Sequence, residues 1–236
     1  MSAVIDQLWR YPVKSMGGER LETVSAGPAG LDGDRVWAVQ DEAGKLGSGK
    51  DSKRFTRMAG LLGLTSRYPE PGASPVVVGP DGTQYPVAGG AADDYLSALC
   101  ARPVHVRTET GLIHFDEVPV SLVGTATLRW LADELPGVAV DARRLRPNLV
   151  VRTDEPFAEE RWLGRPVSIG TAVVVFDRVF QRCVMVGMSQ PGLPESSAVL
   201  KRIAAREDNP VCLAIGGHVV RRGTIATGQP LQVGPG

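Results

Sequence analysis

Along the first 87 residues, apolar positions recur in short alternating runs rather than at helical spacing. Leu8-Trp9-Arg10-Tyr11 alternates. Arg35–Gln40 reads as a strand followed by the turn Asp41-Glu42-Ala43-Gly44, and Leu61–Ser66 as another strand. Pro75–Val87 predicts a hairpin, with Val76-Val77-Val78 leading into the turn Gly79-Pro80-Asp81-Gly82 and returning through Tyr85 and Val87. Gly89-Gly90-Ala91-Ala92 then punctuates the chain. After it, Leu96, Leu99 and Cys100 fall at helical spacing behind Asp93 or Asp94, either of which can cap a short helix.

In the second half, Val104-His105-Val106 and Val118–Val123 read as strands, and Thr125 to Leu135 as a helix. Its apolar face is Leu128, Leu131, Ala132 and Leu135, with Thr125 as the capping hydroxyl. Further strands are expected at Asn148–Arg152, Val167–Phe176, Val179–Val186, Val211–Ile215, Val219-Val220 and Pro230–Val233, with a short helix at Ser197–Ala205. The fold class expected is mainly β with a few short helices. Many strands joined by tight turns usually close into a barrel, because closure removes exposed edges. With 28 Gly and 18 Pro in 236 residues, turn-formers are dense enough to favour that arrangement over long helices. The expected division is a β unit over residues 1–90 packed on a second over 91–236.

Charge narrows the partners. With 26 acidic and 26 basic residues the net charge is zero, so no sequence-wide field draws the chain to nucleic acid or an anionic membrane, and an anionic ligand must be held locally. The three cysteines, Cys100, Cys183 and Cys212, are far apart and lack a CxxC pattern. Together with the lack of a signal-peptide pattern, this speaks against a disulfide scaffold and for a reducing, cytoplasmic setting. No segment approaches the roughly 20 apolar residues that cross a bilayer.

Four segments carry candidate chemistry, each with a bland alternative. Tyr11-Pro12-Val13-Lys14-Ser15-Met16-Gly17-Gly18 sets an ammonium and a hydroxyl before a glycine pair, which can cradle a phosphate or be an ordinary polar loop. Gly30-Leu31-Asp32-Gly33-Asp34-Arg35 offers a guanidinium fork that an adjacent aspartate can hold, or a surface ion pair. Arg143-Arg144-Leu145-Arg146-Pro147-Asn148 puts three arginines at the mouth of a strand, as a ligand loop or as solvated charge. Phe180-Gln181-Arg182-Cys183-Val184-Met185 puts a thiol inside an apolar strand after an arginine. A neighbouring cation favours the thiolate needed for nucleophilic attack or soft-metal ligation, whereas core packing is the bland reading. Cys100 and Cys212 are expected to be core filler. His105, His114 and His218 show no zinc spacing, and His114 stays open as a proton donor or a surface residue.

The order of YPVKS, GLDGDR before a Trp-containing strand, PVSLVGTATL, RLRPNLVV, FAEERWLGRPVSIG, RCVMVGMSQPG and TIATGQPLQVG resembles the MOSC superfamily over nearly the whole chain. Within it, the group containing the mitochondrial amidoxime-reducing component and its bacterial relatives is the one it looks like. The resemblance implies a MOSC N-terminal β region on a MOSC β-barrel domain, and a molybdenum cofactor (Mo-molybdopterin) with Cys183 as protein ligand to molybdenum. It implies cofactor contacts at Lys14, Ser15, Arg35, Arg146, Asn148 and Arg182, and at Thr125 and Thr127 on the strand-to-helix step.

The implied activity is two-electron reduction of N-hydroxylated small molecules such as amidoximes, hydroxylamines and N-hydroxylated bases. Electrons would come from a separate flavin or iron–sulfur protein, since no cysteine-clustered segment follows Gly236. Met188–Ser196 is expected to be a substrate gate. Gly47-Ser48-Gly49-Lys50 is more glycine-rich than that family's strand, which leaves Ser48, Lys50 and Arg54 unassigned. The alternatives are a sulfur-carrying or cofactor-carrying module with a persulfide on Cys183, and a plain β-barrel interaction protein.

Overall fold

Short strands divided by glycine and proline turns order themselves into four sheets among the described residues. The computed structural model describes residues 3–109, 114–115 and 117–235. The first half contributes β1 (Val4–Arg10), β2 (Glu19–Leu21), β3 (Thr23–Gly27), β4 (Gly30–Leu31), β5 (Trp37–Asp41), β6 (Leu46–Ser48), β7 (Phe55–Arg57), β8 (Thr65–Arg67), β9 (Val76–Val78), β10 (Gln84–Pro86) and helix α1 (Ala91–Cys100). The second contributes β11 (Val104–Thr108), β12 (Val120–Gly124), α2 (Thr125–Asp133), β13 (Leu149–Arg152), β14 (Pro166–Ile169), β15 (Ala172–Gln181), α3 (Ala198–Ala204), β16 (Cys212–Arg221), β17 (Gly223–Ala226) and β18 (Leu231–Val233).

The largest sheet runs β18-β14-β15-β16-β12-β13-β1-β2. Leu149, Val150 and Val151 of β13 are all fully buried. Leu149 and Val151 join the core shared with Ile5, Leu122 and Ile215, while Val150 faces the core beneath α2 and α3. Burial on both faces suits a continuous apolar run, and β13 pairs in parallel with β12. A bulge between Ile5 and Gln7 in β1 turns both Ile5 and Leu8 into the core despite their odd spacing. The ladder is open rather than the closed barrel expected. Its approach to closure is the single bridge Val4↔Pro230, with hydrogen bonds from Ile5 N–H to the Gln229 carbonyl and from Gly228 N–H to the Ile5 carbonyl.

Strands cross between the halves. β1 and β2 belong to the large sheet, whereas β11 pairs with β5 in the sheet β11-β5-β6-β7. Val13, Met16, Val39, Leu61, Leu96 and Val104 form a separate core there.

Most expected elements are present, and four differ in ways that matter. Leu61–Gly63 is a 3-10 turn that precedes the strand Thr65–Arg67. Arg35 lies outside the strand, at φ 53°, and regular pairing begins at Trp37. β15 stops at Gln181, and Val184–Gly187 is a 3-10 turn, so Cys183 sits in extended backbone past the strand rather than within it. Gly90, not an aspartate, stands before α1, where Asp93 instead accepts the Val106 N–H at 2.8 Å.

Candidate functional site

Tyr11, immediately after β1, is the platform of the site. Its ring is 1% exposed. The Arg35 and Arg146 guanidinium carbons lie 4.7 and 4.4 Å from its centroid. Its hydroxyl donates to the Pro147 carbonyl at 3.1 Å, and its N–H donates to Asp34 Oδ1 at 2.7 Å. Burial pushes the phenol above its ordinary range, so Tyr11 stays a neutral donor. Buried Asp34 pairs with Arg35 through its other oxygen, so the adjacent aspartate does hold the fork. Arg35 Nη2 donates to the Arg146 carbonyl at 3.0 Å, and Arg146 Nη1 donates to the Met16 carbonyl. Charges 111 positions apart in the chain are thus fixed on one ring.

Arg35 and Arg146, held on the Tyr11 ring behind them, line a cavity of about 430 Å³ together with Lys14, Ser15, Asn148, Arg182 and Cys183. Ser15, Arg35 and Arg146 have φ of 66°, 53° and 54°, the left-handed region that costs a side-chain-bearing residue energy. Three such residues at one cavity mean that the fold over-determines their directions. Ser15 Oγ is held by donating to the Gly47 carbonyl at 2.9 Å.

Cys183 is a free, half-buried thiol at the wall of this cavity. Arg182 beside it donates from Nε to the Leu213 carbonyl at 2.7 Å and from Nη1 to the Leu145 carbonyl at 3.1 Å. Its Nη2 is buried with no hydrogen-bond partner among the described residues. Burial pulls the Arg182 pKa down to about 10, which still leaves it charged at neutral pH. A buried guanidinium with one idle donor beside a thiol calls for an acceptor that the described residues do not supply.

Asn148 lines the cavity, but its side chain is largely spent on bracing strands. Oδ1 accepts from Ser121 N and Oγ, both at 3.1 Å, and Nδ2 donates to the Trp9 carbonyl at 3.3 Å. Thr125 and Thr127 do not join the cavity. Thr127 is fully buried, donates to Glu159 Oε2 at 3.0 Å and accepts the Phe157 N–H at 2.8 Å, while Thr125 accepts the Thr153 N–H at 3.2 Å. The strand-to-helix step turns their hydroxyls toward the chain that follows β13, which corrects the expectation that they face a cofactor.

His114 is buried behind Arg35, its Nδ1 3.1 Å from the Arg35 carbonyl; burial lowers its pKa, so the ring is neutral at neutral pH. Ser48 Oγ donates to Met185 Sδ at 3.6 Å. The glycines around it are steric: a Cβ at Gly47 would lie 2.7 Å from Met58 Sδ, and one at Gly49 2.6 Å from Met188 Sδ. The 188–196 loop is strapped down. Arg144, 2% exposed, donates to the Val186, Met188 and Pro194 carbonyls at 3.4, 3.4 and 2.7 Å, and Arg143 donates to Pro191 at 3.0 Å.

Cys100 packs partly buried against the first-half core, and Cys212 is half-buried; burial raises both thiols. Sequence reasoning passed over Tyr11 as a platform and Ser121 as the partner of Asn148. An aromatic one turn ahead of Lys14-Ser15 was the available signal for the first, and nothing local pointed to the second.

Among the described residues no group of three or more His, Cys, Asp or Glu side chains could cage a metal ion. A single sulfur within a cationic wall instead suits a metal that arrives already chelated by an anionic cofactor. No helix among the described residues is long and apolar enough to cross a membrane.

Residues 104–232 match the MOSC domain family model, and residues 2–63 match the MOSC N-terminal beta barrel domain. Molybdenum cofactor sulfurase of Anopheles gambiae is 24% identical over 247 residues, covering 84% of this chain and 32% of that protein, so the chain spans about a third of that relative's length. Among solved structures, the YuaD protein from Bacillus subtilis is 16% identical with a TM-score of 0.53, covering 99% of this chain and 96% of its own, which is a likeness of fold. YiiM from Geobacillus stearothermophilus is 18% identical over 50% of this chain and 55% of its own, with a TM-score of 0.37.

Proposed function

Because the chain belongs to the MOSC domain family, we propose that its cavity holds a molybdenum pterin cofactor, with Cys183 as the protein's ligand to molybdenum, and that it reduces N-hydroxylated substrates. One observation carries this reading: Cys183 shares a cavity of about 430 Å³ with Lys14, Ser15, Arg35, Arg146 and Arg182, drawn from both ends of the chain.

The residues present fit the group. Arg35 and Arg146, locked on Tyr11, and Lys14 offer fixed positive charge to the cofactor's phosphate. The idle Nη2 of Arg182 is a donor for one of its acceptor atoms. Cys183 offers a soft sulfur donor, which suits molybdenum in a mixed sulfur and oxygen ligand set. When bound, the cofactor supplies the two-electron chemistry that takes the oxygen from the N–O bond. For an amidoxime, two electrons and two protons give the amidine and water. The protein's share is to hold both reactants in register and to limit water around them. The electrons come from a separate flavin or iron–sulfur protein.

The likeness to a molybdenum cofactor sulfurase favours a second reading, in which Cys183 carries a persulfide and the chain hands on sulfur or cofactor. One experiment separates the two. Molybdenum-loaded protein is mixed with benzamidoxime and reduced methyl viologen, and benzamidine is followed by chromatography. Multiple turnovers are expected. No benzamidine, together with a mass increase of one sulfur at Cys183 in freshly isolated protein, would transfer the assignment to the carrier.

A further inference from the structure

The strand Phe55–Arg57 brings two further cations, Lys50 and Arg54, close to Lys14. The Phe55 ring packs on Ala38 and Leu46, and three cationic groups gather over it: Lys14 Nζ at 5.1 Å from its centroid, Arg54 Cζ at 5.3 Å and Lys50 Nζ at 5.4 Å. The ring's quadrupole rewards each of them, but three like charges on one ring also repel one another.

Lys50 and Arg54 make no ion pair among the described residues. Asp51, the nearest acid in sequence, is used in accepting the Arg57 N–H at 2.7 Å. Arg54 is steered the other way, donating to the Phe115 carbonyl at 2.9 Å, and Phe115 itself lines the cavity. Lys50 lines it directly. Glu117, the only carboxylate among its described lining residues, is exposed and pairs with neither. The backbone that presents Lys50 is fixed, since Gly49 packs against Met185 and Met188 with no room for a Cβ.

We propose that the substrates of this site carry an anionic group, a carboxylate or phosphate ester, that is read by Lys50 with Arg54 reinforcing its field across the Phe55 ring. This inference rests on the reductase reading and names its substrate class: small N-hydroxylated molecules with an oxyanion at the end remote from the N–O bond. Lys50 is a specificity residue, distinct from the Tyr11 platform that serves the cofactor. The half-buried ammonium, which has no ion pair among the described residues, gains a charge-assisted partner when such a substrate enters.

The test compares benzamidoxime with 4-carboxybenzamidoxime on the molybdenum-loaded protein, by calorimetric titration and by turnover. Wild type is expected to bind the carboxylated compound about tenfold more tightly, a ratio typical of one charge-assisted hydrogen bond, and the ratio should shrink in high salt. In Lys50→Gln the ratio should fall below about twofold, and Lys50→Arg should restore it. Equal binding of the two compounds by wild type, or a ratio untouched by Lys50→Gln, would overturn the inference. So would loss of molybdenum from Lys50→Gln, because the ammonium would then belong to the cofactor. Turnover without carboxylate preference would sink the substrate class and leave the reductase standing. Preferential binding without turnover of either compound would sink the reductase and leave the anion site.

Discussion

Arg143, Arg144 and Arg146 lie within four positions of each other and have three different fates. Arg143 pairs with Asp141 at the surface, where such pairs contribute little. Arg144 is buried and spends its donors on backbone carbonyls, including Ala139 at 2.8 Å and Pro194 at 2.7 Å. Arg146, turned by its positive φ, lies over Tyr11 at the cavity. The sequence announced a cluster of guanidinium groups at a strand's mouth but could not sort them, because the sorting depends on a 3-10 turn over Ala142–Arg144 that points adjacent side chains apart. Arg144→Met should destabilise the fold by about 3 kcal/mol, since four backbone carbonyls, that of buried Val186 among them, lose a charged donor. Urea unfolding checks this, and a loss under about 1 kcal/mol would show that the strap over the 188–196 loop is dispensable.

At the scale of elements, the start of α2 carries a buried carboxylate. Glu159, 1% exposed, accepts the Gly124 N–H at 3.0 Å and the Thr127 hydroxyl at 3.0 Å. Burial raises its pKa despite these bonds. An acid whose pKa is higher folded than unfolded binds more protons in the native state. Its contribution therefore favours folding at low pH and is lost as pH rises from the ordinary glutamate value, about 4.3, through the folded one. Glu159→Gln, which keeps an acceptor for Gly124, should gain relative to wild type as pH rises from about 4.5 to neutral. Urea midpoints of both proteins across that range measure it, and parallel pH profiles would refute it.

The same stretch explains a misreading. Thr125 and Thr127 looked like ligand groups at a helix start, but the carboxylate that occupies Thr127 comes from 32 residues away and is invisible locally. The position of Cys183 was missed by one element for a related reason. The run from Val179 to Val186 is apolar enough for a strand, yet Arg182 is drawn aside to the Val211 and Leu213 carbonyls, and pairing ends at Gln181.

The whole molecule was the most legible level for class and the least for closure. Turn density and alternation indicated a mainly β chain, and the hairpin β9–β10 formed with its turn closed by Gly79 N–H on the Thr83 carbonyl at 2.9 Å. The open ladder between β1 and β18 was not legible, because a one-bridge contact depends on how the ends of the chain meet. Nor could spacing alone reveal that Lys14, Arg35, Arg146 and Cys183 converge; that required β1 to cross into the second half's sheet beside β13.

That convergence is the central claim, and metal content tests it most directly. Wild type and Cys183→Ser are produced in a host that makes molybdenum cofactor, purified alike and analysed for molybdenum per chain, with circular dichroism to establish that both fold. Near-stoichiometric molybdenum in wild type and its strong loss in the serine variant is the predicted result. A serine variant that keeps as much molybdenum as wild type would contradict the account.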